Sequence, residues 1–244
     1  MSKIPKEPRE VFSDITDDYQ NLFGDDLVSI ILYGSAASGE YIAGKSDINF
    51  MIVLSDHGID SLERTFEVVK KWKKRKVATP LFLTEDYIHT SLDAFPVEYL
   101  NFQNCHQLVY GKDIFKDLTF DRHYVRLQCE REIKAKLLLL REAFLETGGK
   151  GRDLQELIAQ SVHAFVAVFN GLLYLKGEEV PRRKRDAVAQ VCNTFDLDKA
   201  LFEKLLDIRG KKMKPSGTEM AEVFQAYLKE VRNMWKLLDR LDMK

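Results

Sequence analysis

Cysteine is scarce in this chain and badly placed for cross-linking. Cys105, Cys129 and Cys192 are the only three in 244 residues, and they form no Cys-x-x-Cys pair. The scatter argues against a disulfide framework or a zinc ribbon and predicts packed free thiols in a reducing compartment. The five histidines, His57, His89, His106, His123 and His163, show no metal-ligand spacing. His163, set among Ala164, Phe165 and Val166, reads as a packed core histidine, and no serine-histidine-acid arrangement can be read. An excess of charge is also missing: 37 basic side chains meet 38 acidic ones, for a net charge of −1. That balance argues against a globally basic nucleic-acid binder. The longest purely apolar run is too short to cross a bilayer. The opening "MSKIPKEPRE" has no signal-peptide core. A cytoplasmic protein is expected, with neither repeats nor low-complexity segments.

Apolar residues make up 45% of the chain and charged residues 31%, as in a globular protein with a substantial core. The first half alternates strand and helix patterns. "PREVFSDITDDYQNLFG" has helical spacing at Val11, Ile15, Tyr19, Leu22 and Phe23, with Gly24 as its stop. "DLVSIILYG" and "INFMIVL" predict buried strands. "SLERTFEVVKKWKKRK" predicts an amphipathic helix with Leu62, Phe66, Val69 and Trp72 on one face. "TPLFLT" reads as a strand, and "TEDYIHTSL" as a helix capped by Thr84. "FPVEYLNF" and "HQLVYG" read as two further strands. From Asp121 onward only helices are expected: a long one ending at "GGKG", a second capped by Asp153, a third starting at Pro181, and two more from "DLDKAL" and "GTEMAE". The expected division is an α/β domain over residues 1–115 and a helical bundle over 116–244.

The stretch "ILYGSAASGEYIAGKSDINFMIVL", residues 31–54, carries the strongest chemical signal. Gly34 ends a strand and Ser35 opens a short helical turn, whose free N–H groups and hydroxyl suit a phosphate. Asp47 and Asn49 are two apart on a strand and so share a face. A third acid is expected from a neighbouring strand. Glu98, between Val97 and Tyr99, is the best candidate, since a carboxylate in an apolar strand is costly without a partner. Its alternative is a solvated face. Asp56 is a weaker candidate.

"YGSAASGEYIAGKSDINFMIVL" resembles the signature of the DNA polymerase beta-like nucleotidyltransferase superfamily, most nearly the small bacterial branch related to kanamycin and streptomycin adenylyltransferases. Members read Gly-Ser, a variable loop, then Ser-Asp-x-Asp before an apolar strand. The resemblance implies an α+β fold, a mixed sheet with flanking helices followed by an all-α bundle. It implies transfer of a nucleoside monophosphate from an NTP, ATP by analogy, to a hydroxyl acceptor, with one or two Mg2+ ions neutralising phosphate charge. It makes Gly34 and Ser35 the triphosphate cradle, with Ser46 helping to hold the loop. Asp47 becomes the first metal ligand, and Glu98 takes the place of the third acid and base. Asn49 stands where the family has its second Asp. An amide oxygen ligates a metal but brings no charge, so one ion arriving with the nucleotide is easier to support than two.

Three outcomes therefore stand side by side: a transferase weakened by Asn49, a nucleotide-binding regulatory module that no longer turns over, and an antitoxin-like protein that meets a partner through its helices. Among other features, "KKWKKRK" at 70–76 reads as a solvated helix C-terminus or as a phosphate patch around Trp72. "RRKR" at 182–185 falls near a helix start. "CEREIKAK" alternates charge like a water-facing surface. Lys211, Lys212 and Lys214 are expected in a loop beside Pro215.

Overall fold

A computed structural model describes residues 4–213 and 215–241. Lys214 and the side chain of His163 lie outside the described residues. The chain divides into two compact units. One comprises the chain up to Leu92 together with Asn101–Thr119. The other comprises Asp93–Leu100 and the chain from Phe120 onward.

The first unit is built on a four-stranded sheet, β1 (Leu27–Tyr33), β2 (Asn49–Leu54), β3 (Leu81–Thr84) and β4 (His106–Gly111), in the order β3-β2-β1-β4. β1 pairs antiparallel with β2 and β4, and β2 pairs parallel with β3. Helix α1 (Phe12–Phe23) and the 3-10 turn before it present Val11, Ile15, Tyr19 and Phe23 at four-residue spacing, all at most 4% exposed. They pack with Ile30, Leu32, Phe50 and Ile52 of the sheet. Each apolar side chain so buried contributes roughly 1.5–3 kcal/mol. Gly24 ends α1 at φ +53, a conformation open to glycine at little cost. Helix α2 (Asp56–Ile59) is capped by Ser55, whose Oγ accepts from the Gly58 amide. The next segment begins as a 3-10 turn at Leu62–Thr65 and becomes helix α3 (Phe66–Lys73). Its apolar face differs from the expected one: Trp72 is buried, but Phe66 is 69% exposed. Thr84 caps helix α4 (Glu85–Thr90) by accepting from the Tyr87 amide.

One predicted strand is a helix. "FPVEYLNF" lies in α5 (Pro96–Asn104). The alternation of Phe95, Val97 and Tyr99 imitates a strand, but the buried set is Pro96, Val97, Tyr99 and Leu100, which follows helical spacing. Pro96 begins the helix, where its missing N–H has no intrahelical role.

In the second unit α6 (Arg122–Thr147) ends at Gly148 in the left-handed conformation. α7 starts at Gly151 with Lys150 as N-cap, three residues before the expected cap at Asp153, and runs to Leu175. α8 (Lys184–Phe195) begins three residues after Pro181, so that proline is not its first turn. α9 (Lys199–Arg209) and α10 (Gly217–Asp239) are capped by Asp198 and Ser216. α7 is long and apolar enough to cross a membrane by length and composition. Here Leu154, Ile158, Phe165, Phe169 and Leu172 are all buried, with Phe169 against Phe202 and Phe165 against Tyr227 at 5.6 and 5.9 Å between ring centroids. The charge alternation on α6 resolves into pairs one helical turn apart: Glu130 with Arg126 and Lys134, and Glu132 with Lys136. In the "RRKR" run, Arg185 pairs with Asp207 at 2.6 Å.

Candidate nucleotide site

The antiparallel pairing of β1 with β2 places Tyr33 opposite Asn49. The chain therefore leaves one strand at Gly34 and enters the next at Asn49, and residues 34–48 loop between them over the strand ends. Gly34 turns the chain at φ +74, and a Cβ built there would stand 3.3 Å from the Asn49 amide nitrogen. Backbone conformation and neighbour thus both favour glycine at this position. The turn Gly34–Ala36 is one 3-10 turn. The amides of Ala37 and Ser38 donate to the Gly34 carbonyl at 3.0 and 3.1 Å, and the Glu40 amide donates to Ser35 O at 2.9 Å. Ser46 closes the far side of the loop: its Oγ accepts from the Ile42 amide at 3.1 Å, and its own amide donates to Ile42 O at 2.8 Å.

Ile48 is fully buried, while Asp47 is exposed and Asn49 half-buried. Strand alternation explains this: Ile48 turns into the core and its neighbours turn out together. Ile48 forms an isolated parallel bridge with Val77. Its amide donates to Lys76 O, and its carbonyl accepts from the Ala78 amide, both at 2.9 Å. That ladder sets Lys76 beside Asp47, with Lys76 Nζ 3.8 Å from Asp47 Oδ1. The two side chains are 43% and 58% exposed, so the pair contributes at most about 1 kcal/mol to stability. Lys76 itself sits at φ +65, a left-handed conformation uncommon for a lysine. Tyr41 belongs to the same neighbourhood. Its hydroxyl donates to Pro5 O at 2.9 Å, and its pKa is raised, first by desolvation and then by the negative charges of Glu10 and Asp47.

Gly34, Ser35, Ser46, Asp47 and Asn49 therefore share one loop and its two strand ends. Glu98 is placed differently from the sequence expectation. It is exposed on helix α5, in the second unit, and its carboxylate accepts from Gln128 Nε2 at 2.5 Å. Gln128 Oε1 also accepts from the Val97 amide, so a single glutamine holds the start of this helix. β3, the strand beside β2, carries no acid over Leu81–Thr84, nor do the preceding residues Val77–Pro80. Asp56 follows the opposite end of β2 from Asn49 and is no substitute for a second acid. Among the described residues, no three His, Cys, Asp or Glu side chains converge as a metal site.

The basic run at 70–76 serves two ends. Lys71 and Trp72 Nε1 both reach Asp18, at 2.6 and 2.8 Å, and Arg75 reaches Asp14 at 3.3 Å, which ties α3 to α1. Trp72, being buried, offers no stacking face. Lys76, the last residue of the run, is the site residue that sequence reasoning missed. Its only mark in the sequence is membership of a charge run.

No curated protein sequence matches the chain. Among solved structures, the chain is similar to spectinomycin adenyltransferase from Enterococcus faecialis, determined with ATP and spectinomycin. The likeness has 10% identity and a TM-score of 0.49, covering 90% of this chain and 99% of that one. Residues 13–105, which hold the Gly34 turn, the Asp47–Asn49 edge and Glu98, match the family model of the nucleotidyltransferase domain.

Proposed function

We propose that the first unit binds a nucleoside triphosphate, ATP by family analogy, at the Gly34–Ser35 turn and transfers its nucleoside monophosphate to a hydroxyl acceptor with release of pyrophosphate. The observation that carries this reading is the shared outward face of exposed Asp47 and half-buried Asn49 on either side of buried Ile48, with Asn49 packed against a left-handed glycine turn. The turn receives phosphate oxygens. Asp47 supplies one carboxylate and Asn49 one amide oxygen. That donor set fits a single magnesium ion brought in on the triphosphate, and it does not fit a pair of ions, whose four positive charges would meet one carboxylate from Asp47 and, with Glu98 added, only two. Bound there, the ion would neutralise charge on the phosphate oxygens as it develops. Ser46 keeps the loop closed behind the site. By family analogy alone, Glu98 is proposed as a further acid, and Glu98→Gln tests that assignment through loss of turnover.

The structure also favours a second reading. With Asp47 already paired to Lys76 and no acid on β3, the site suits a nucleotide-binding module without turnover. Pyrophosphate release with each NTP, measured for the wild type and for Asn49→Asp, separates the two. Turnover by the wild type supports transfer. Metal-dependent nucleotide binding without pyrophosphate supports the module.

A further inference from the structure

We propose that Lys76 is the resident cation of this site. It neutralises Asp47 while the site is free and turns to the phosphates when a nucleotide enters. The phosphate half rests on the nucleotide reading above; the pairing with Asp47 does not.

Three observations carry the proposal. First, the site's own charges cancel: Asp47 is negative, Lys76 is positive, and Asn49, which occupies the family's second acid position, is neutral. A strand edge with no net charge has little to attract a free divalent ion. Second, the lysine is delivered by backbone structure. Its carbonyl accepts from Ile48, the Ala78 amide on its far side donates to Ile48 O, and its φ of +65 is a conformation that lysine rarely adopts. The left-handed turn alone is an ordinary helix ending, with the Val77 amide donating to Trp72 O at 3.2 Å; the pairing with Ile48 is what a solvated helix end does not need. Third, the Asp47 contact is long, at 3.8 Å, and nearly half of the lysine side chain is open to solvent. The ammonium is therefore fixed at its root and free at its tip, which suits a flexible point charge that exchanges one anion for another. Lys71 and Arg75, by contrast, are committed to Asp18 and Asp14.

The test uses the full chain and the variants Lys76→Met and Lys76→Arg, each checked for folding by circular dichroism. Two titrations are run. Calorimetry with ATP in EDTA reads phosphate binding without metal, and is repeated with magnesium. Mn2+ binding without nucleotide, followed by electron paramagnetic resonance, reads the Asp47–Asn49 edge without phosphate. Lys76→Met is expected to weaken metal-free ATP binding by about tenfold, whereas Lys76→Arg stays within about threefold of wild type. Lys76→Met is also expected to raise Mn2+ affinity at least about threefold, because the carboxylate loses its counter-ion. Unchanged values in both titrations overturn the role of Lys76 and leave nucleotide binding standing. If the wild type binds no ATP with or without magnesium, the nucleotide reading fails and the phosphate half goes with it. The Mn2+ titration still decides the pairing with Asp47.

Discussion

Gly34 is held to glycine twice, by a φ of +74 and by the Asn49 amide 3.3 Å from its missing Cβ. Gly34→Ala is expected to cost about 1–2 kcal/mol, read from chemical denaturation. Because the new methyl group also pushes on Asn49, nucleotide binding should weaken by more than the folded fraction falls. Asn49→Asp adds the missing charge without changing shape. Mn2+ affinity should rise several-fold, and if transfer is the function, magnesium-dependent pyrophosphate release should rise with it. Unchanged Mn2+ binding would mean that residue 49 does not face the ion. At this scale the sequence was legible wherever spacing along the chain decides position. Gly34, Asp47 and Asn49 fall where a strand, a turn and a strand must put them. Lys76 was not legible, because its place depends on a left-handed turn and a bridge to Ile48, neither of which leaves a local pattern.

Elements were legible where periodicity and caps agreed and misleading where they did not. Thr84 is readable as a cap from the residues around it, and Thr84→Ala is expected to cost about 1 kcal/mol, measurable as a fall in the denaturation midpoint. α5 imitates a strand because Phe95, Val97 and Tyr99 alternate over too few residues to separate period two from a short helix. Pro96 was the better signal. The ends of β1 and β2 away from the loop are joined by Asp26, whose carboxylate accepts from Ser55 Oγ at 2.5 Å and meets His57 Nδ1 at 2.9 Å. The serine bonds the carboxylate, not the imidazole, so the trio is not arranged for nucleophilic catalysis. Its role is structural, and it has a pH signature. The hydrogen bonds from Ser55 and His57 lower the Asp26 pKa. A depressed carboxylate contributes stability that is present above its unfolded pKa of about 4 and is lost as pH falls through the folded value. Asp26→Asn should therefore lower stability at neutral pH and converge with wild type in acid, as urea midpoints across the pH range would show.

For the whole molecule, composition gave a globular chain, and periodicity gave the change from mixed elements to helices alone. The expected boundary at residues 115 and 116 is a single cut. The compact units instead interleave, with Asp93–Leu100 assigned to the second. A cut of that kind is invisible to composition, because it is made by contacts such as those of Gln128 with Val97 and Glu98. Two of the three cysteines report on the core of the second unit. Cys129 and Cys192 are buried, and burial is the main cause that raises both thiols, Cys192 to about 12. Cys105 is half-buried. A thiol reagent at pH 8 should modify Cys105 first in the native protein and reach all three only in denaturant. Fast labelling of Cys129 without denaturant would contradict the packing around α6 and α7.

The ladder between Ile48 and the turn at Lys76 also says something about how the site tolerates change in length. Side chains on paired strands alternate, so a slip of one residue swaps inward for outward. One residue inserted between Trp72 and Val77 would carry the ammonium away from Asp47, although neither charged residue had been altered. The charge balance of this site is therefore a matter of register. It is set when the backbone of residues 76–78 pairs with Ile48, and insertions and deletions bear on it as directly as substitutions do.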